Sequence, residues 1–152
     1  MTAPGPRLAM LLLGSYRKMV DAAVAELAAR GFADVRPSLH YAMTAIDGGA
    51  QSASDLGRAL SVTKQAAAKT IAILTERGWV ATAPDPVDRR RNRLEITALG
   101  RRVMREGEQI FDELREAWQA EVGAAELAEL EARLAEYVGE DGVRLDAPGW
   151  AS

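Results

Sequence analysis

Four arginines, Arg89, Arg90, Arg91 and Arg93, fall within five residues of a stretch that opens Pro84-Asp85-Pro86. Guanidinium groups stay charged at any physiological pH and bind phosphate through paired N–H donors, so this density of them points to a polyanion. A second group lies upstream. Lys64 and Lys69 flank Gln65, Ala66 and Ala68, just after Thr63. The ammonium groups suit phosphate or guanine, the carboxamide suits an adenine edge, and the alanines allow close approach and contact with thymine methyls. Asp88 is out of place among phosphate binders. Its expected role is to pair with and aim an arginine, with Arg90 the candidate.

These residues need a scaffold, and the hydrophobic spacing supplies one. Ser54–Leu60 and Lys64–Arg77 read as two helices joined by a short turn, with Thr63 as the cap of the second. Ala67, Thr70, Ile71 and Leu74 form its inward face, which leaves Lys64, Gln65, Ala68, Lys69 and Ala72 outward. Residues 79–83 and 93–97 read as strands. The loop between them is basic, and Pro84 and Pro86 should bar regular pairing there. Ahead of this unit, apolar residues from Leu8 to Leu27 fall at steps of three and four, giving a helix over 8–30, and Pro37 opens another to about Ile46. Behind it, helices are expected over 100–119 and 124–138, with Gly123 between them. The fold class is mainly α with a small β-hairpin wing. A single domain is expected, with a DNA-binding lobe at 36–100 and a helical lobe built from 8–30 and 100–138. The tail after 139 carries Gly, Pro and Asp and should be loose.

The net charge of −3 conceals a division along the chain. Residues 58–105 hold eleven basic and four acidic side chains, whereas residues 106–152 hold three basic and thirteen acidic. The middle of the chain is therefore the electrostatic footprint for a nucleic acid. There is no cysteine and only one histidine, His40. Thiol redox chemistry and thiolate metal sites are excluded, and a histidine zinc site is not expected; no cofactor or metal is called for. No nucleophile–base motif or glycine-rich phosphate loop is present, so no catalytic residues are assigned. Glu106 and Glu108 read as solvated carboxylates. The run Leu8–Leu13 is followed at once by Arg17 and Lys18. It reads as one face of the first helix rather than a signal peptide, and no stretch reaches the ~18 apolar residues of a membrane span. A cytoplasmic location is the expectation.

The sequence resembles the MarR-type winged helix-turn-helix transcriptional regulators. The resemblance rests on residues 56–65, on Leu74-Thr75-Glu76-Arg77-Gly78-Trp79-Val80, on Gly31 to Pro37, and above all on Asp85-Pro86-Val87-Asp88-Arg89-Arg90 continuing into Leu94 to Gly100. It implies a dimer that binds a pseudo-palindromic double-stranded DNA operator, a repressor released by a small aromatic or amphipathic effector. Carried onto this chain, Thr63, Lys64, Gln65, Ala66, Ala68 and Lys69 take the recognition role. Arg90 becomes the wing arginine with Asp88 as its partner, and Arg89 and Arg91 stand beside it. Ala66 and Ala68 depart from the polar residues common in the family, so base reading leans on Gln65, Lys64 and DNA shape. The implied dimer contacts are Leu8, Leu12, Leu127, Leu130, Leu134 and Tyr137. The implied effector lining is Tyr16, Met19, His40, Met43 and Trp118. The rival reading is a winged helix that binds protein, which would have no need of four wing arginines.

Overall fold

The computed structural model describes residues 3–139; the expectation about the tail falls outside them. Six helices and one hairpin follow in order: α1 (Pro4–Ala29), α2 (Pro37–Asp47), α3 (Ala53–Leu60), α4 (Lys64–Glu76), β1 (Val80–Pro84), β2 (Asn92–Ile96), α5 (Ala98–Val122) and α6 (Ala124–Val138). Helix α1 starts four residues before the expected position. Pro4 sits in its first turn, where the missing N–H would have had no helical partner. Helix α5 runs on to Val122 and stops at Gly123, whose φ of 102° ends the helical path.

The core gathers around α2. Met43 and Leu56 are fully buried, as are Leu74 from α4 and Val103 and Ile110 from α5. Truncating any of these leucines to alanine would leave a cavity of the kind that costs about 2–5 kcal/mol. Helices α3 and α4 meet tightly. A Cβ on Gly57 would stand 2.9 Å from the Val62 carbonyl oxygen, so glycine sets the close turn between them. Ser61 makes that turn in the left-handed region (φ 55°), capping α3. Ser52 and Thr63 then start their helices by accepting from the N–H of Asp55 (3.1 Å) and of Ala66 (3.0 Å).

The hairpin is antiparallel, with Val80 opposite Ile96 and Thr82 opposite Leu94. Its ladder reaches Pro84, which pairs with Asn92, contrary to the expectation that Pro84 would stand outside it. Proline is tolerated because it is the last residue of β1; the next N–H, of Asp85, closes the loop onto the Arg91 carbonyl at 2.8 Å. Leu94 N–H also bonds the Gln51 carbonyl (3.1 Å), so the hairpin is fastened to the segment before α3.

The base of the hairpin is fixed to α5 at one point. The Thr97 hydroxyl donates to the Gly78 carbonyl at 2.6 Å, and its N–H donates to the Trp79 carbonyl at 3.0 Å. A Cβ on Gly100 would come within 2.1 Å of that Trp79 oxygen, against main chain that has little room to move. Gly100→Ala should therefore destabilise the fold by roughly 1–3 kcal/mol, the usual cost of overpacking. Urea denaturation checks this, and an unchanged midpoint would contradict it.

Candidate functional site

Helix α4 buries Ala67 and Leu74 and half-buries Thr70 and Ile71. Lys64, Gln65, Ala66, Ala68, Lys69 and Ala72 are all exposed, as the helical spacing predicts. Thr63 is exposed too, but its hydroxyl oxygen is occupied by the cap to Ala66. The first turn of α4 thus presents free N–H groups and Lys64 to solvent, with Lys69 on the second turn, a favourable setting for an anion.

The hairpin tip carries Asp88, Arg89, Arg90 and Arg91, all exposed. Its shape is held by carboxylates acting on the backbone. Asp85 accepts from the N–H of Val87 at 2.8 Å, and Asp88 accepts from the N–H of Arg90 at 3.1 Å. The one ion pair of Asp88 among the described residues is with Arg91, at 4.0 Å. The expected aiming of Arg90 through its guanidinium is thus replaced by a grip on its main chain. An aspartate two residues upstream reaches the N–H of a tight turn more readily than the far end of a long side chain. No ion pair among the described residues involves Lys64, Lys69, Arg89 or Arg90. Four cations therefore stay uncommitted on α4 and the tip.

The five expected effector residues do not form one site. Tyr16 and His40 line a cavity of about 110 Å³ enclosed by α1, α2 and α5, together with Tyr41, Val103 and Phe111. Met19 and Trp118 line a second and larger cavity, about 360 Å³, between α1 and α5, with Lys18 and Glu121 at its edge. Met43 lines neither; it is fully buried in the core, because its position on α2 faces inward rather than toward α1. Tyr41 and Phe111 escaped sequence reasoning, since an aromatic on an apolar stripe reads as core until the gap beside it is visible. Gly107 supplies that gap: a Cβ there would meet nothing closer than His40 Nδ1 at 3.9 Å.

Burial pushes the Tyr16 phenol up to about 12, with Tyr41 adding to the effect through its charge and a hydrogen bond. Burial also lowers the His40 pKa below the ordinary imidazole range, against a weaker opposing pull from Glu108. Above this cavity lies an arginine hub. Arg30, at the end of α1, reaches Glu26 (3.1 Å), Glu106 (2.8 Å) and Glu113 (3.1 Å). Glu106 is therefore not a solvated carboxylate but half of a bridge from α1 to α5. Its partner could not be read from sequence, because 76 residues separate the two.

The expected dimer residues divide as well. Leu8 is 59% exposed and Tyr137 86%, and Leu12 and Leu130 are also open. Leu134 is half-buried. Leu127, at 2% exposure, is buried within the chain itself, where α6 folds against α5, so it offers nothing to a partner.

Residues 35–91 match the model of the MarR family. A comparison with curated proteins finds no match. Among solved structures, the reduced form of MarR from E. coli is similar at 20% identity and TM-score 0.67, covering 91% of this chain and 98% of that one. S. aureus MepR bound to ethidium bromide is similar at 19% identity and TM-score 0.62, covering 86% and 93%. A variant of S. aureus MepR bound to an oligodeoxyribonucleotide is similar at 16% identity and TM-score 0.60, covering 86% and 95%. At these identities the likeness shows the fold.

The lowered His40 pKa fixes a sign for stability. The folded chain holds the imidazole neutral, while the unfolded chain takes up a proton near pH 6.5. Stability is therefore present above that pH and falls as pH drops from about 6.5 toward the folded value. His40 is the one imidazole of the chain, so His40→Gln should flatten the fall in melting temperature between pH 7 and pH 5.5. An equal fall in both proteins would contradict this assignment.

Proposed function

We propose, for a chain whose residues 35–91 match the model of the MarR family and whose fold is a winged helix-turn-helix, that it is a dimeric transcriptional repressor. It binds double-stranded DNA, and a small molecule releases it. The observation that carries the reading is the pairing of an exposed, cationic face on α4 with a projecting hairpin tip of three exposed arginines. Residues 36–100 act as the DNA-binding lobe, and 8–30 with 100–138 as the dimerisation lobe.

Helix α4 enters the major groove. Gln65 meets a base edge and Lys64 and Lys69 meet phosphate or guanine. The wing tracks the neighbouring backbone, with Arg90 on a phosphate beside the minor groove, where A·T-rich sequence narrows the groove and strengthens its negative potential. Dimerisation is supported by the first ten residues of α1, where Leu8, Met10, Leu11, Leu12 and Leu13 are all exposed, and by Leu130, Tyr137 and Val138 on α6. Such a run of apolar side chains is costly in water and fits a partner surface. A two-fold dimer then requires a pseudo-palindromic operator with half-sites about 10 bp apart or a small multiple of that.

Release follows from where the cavities lie. Both are lined by α1 and α5, and α5 is fastened to the base of the wing. The 110 Å³ cavity, with Tyr16, Tyr41 and His40 on an otherwise apolar wall, suits a small aromatic molecule with one polar end. MepR bound to ethidium bromide is a precedent for an aromatic ligand on this fold. A ligand that prefers the arrangement in which the two recognition helices no longer match successive grooves would lower DNA affinity by that preference, ~1–3 kcal/mol in typical coupled systems.

The test separates wing from helix. Arg90→Ala should weaken binding to all duplexes and reduce the slope of log affinity against log salt by about 2 per dimer, at ~0.9 per phosphate contact. Gln65→Ala should cost roughly 1–3 kcal/mol on a preferred sequence and little elsewhere. Fluorescence anisotropy over a salt series measures both. Unchanged affinity and slope for Arg90→Ala would remove the wing from the interface and favour a protein-binding role.

A further inference from the structure

The exposed face of α4 is short of groups that can read bases by hydrogen bonding. Thr63 turns its hydroxyl oxygen to the helix cap, which leaves chiefly its O–H to donate. Lys64 and Lys69 are long, flexible cations that any phosphate satisfies. Gln65 alone on the outward face of the first two turns has a carboxamide that can both donate and accept. Ala66 and Ala68 on these turns and Ala72 on the next end in a methyl group, and all three are exposed.

Spacing makes the alanines more than filler. Gln65, Ala68 and Ala72 stand at i, i+3 and i+7, so they share one stripe of the helix. Seven residues span ~10 Å of helix axis, which is roughly three base-pair steps at ~3.4 Å each. No side chain longer than alanine stands between Gln65 and Ala72 on this stripe except Lys69, whose stem can lie along the groove wall. The backbone can therefore sit close to the floor of the major groove. There the one apolar feature that a base pair offers is the C5 methyl of thymine.

We propose that α4 reads thymine C5 methyl groups through Ala68 and Ala72, so that the preferred half-site carries thymines at those two contacts beside an adenine facing Gln65. This rests on the DNA-binding reading above and adds the class of sequence it selects. Specificity is then largely apolar, and it depends on a group that deoxyuridine lacks while keeping the same hydrogen-bonding edge. Methyl recognition predicts a penalty for deoxyuridine. Alanines that merely clear space predict none.

The full-length protein is first used to select duplexes from a random library, and each thymine of the enriched half-site is then replaced by deoxyuridine. The expected result is thymine at two positions within about three base pairs. Each replacement there should weaken binding about fourfold, the scale of one buried methyl group. In Ala68→Ser and Ala72→Ser proteins the penalty at the matching thymine should shrink to less than twofold. Circular dichroism confirms that the variants fold, and the deoxyuridine series on the unaltered protein stands without them. Enriched half-sites that lack thymine, or equal binding of thymine and deoxyuridine duplexes, would overturn methyl reading while leaving DNA binding intact. A selection that enriches no sequence would overturn sequence-specific DNA binding itself, and this inference with it.

Discussion

Thr97 joins three parts of the chain within a few ångströms. Its hydroxyl donates to Gly78 just past the end of α4, its N–H bonds Trp79 at the root of the hairpin, and its oxygen caps α5 by accepting from Gly100 at 3.0 Å. Gly100 then brings α5 so near the Trp79 carbonyl that no side chain fits between them. Helix α4, the wing and α5 are thereby locked into one body. Close-packed protein shifts between discrete arrangements rather than bending freely, so a displacement of α5 should carry α4 and the wing with it. Both cavities have walls on α5, the helix that belongs to this body.

Charge is divided in the same geometry. The acidic end of the chain supplies Glu106 and Glu113 to Arg30, which ties α1 to α5, and Glu131 to Arg115 at 2.6 Å, which ties α6 to α5. Arg77 is likewise spent on structure. It donates to the carbonyls of Ala33 and Asp34, both at 3.0 Å, and lies over Trp79 at 4.9 Å. The cations left without ion-pair partners among the described residues include Lys64 and Lys69 on α4 and Arg89 and Arg90 on the hairpin tip. A net charge of −3 is thus compatible with a polyanion ligand, because the negative charge is gathered on the lobe far along the chain from the basic block and partly neutralised within it.

Helix α4 was legible in the sequence because its capping threonine, its 3.6-residue period and its flanking glycine are all local signals. The exposed and buried positions of α4 follow from them directly. The wing was legible from its arginines, though its strands lie one residue from the expected places and its ladder runs through Pro84. What local pattern could not supply was the partner of each group. Asp88 next to Arg89, Arg90 and Arg91 leaves its contact open until the turn is built, and the turn turns it toward the Arg90 main chain and Arg91. Met43 and Met19 are the same residue type on apolar stripes, yet one is core and the other lines a cavity. Leu127 was indistinguishable by period from Leu130, and only the fold of α6 on α5 separates them.

The central claim is that two copies of one rigid unit, helix plus wing, engage a duplex together. Hydroxyl-radical footprinting of a selected duplex with the unaltered protein tests it most directly, because the method reports backbone protection without presuming which bases are read. The account predicts two protected regions related by two-fold symmetry, their centres about 10 bp or a small multiple apart, each with minor-groove protection on its outer flank where the wing lies. A single unsymmetrical footprint, or two without flanking minor-groove protection, would contradict it.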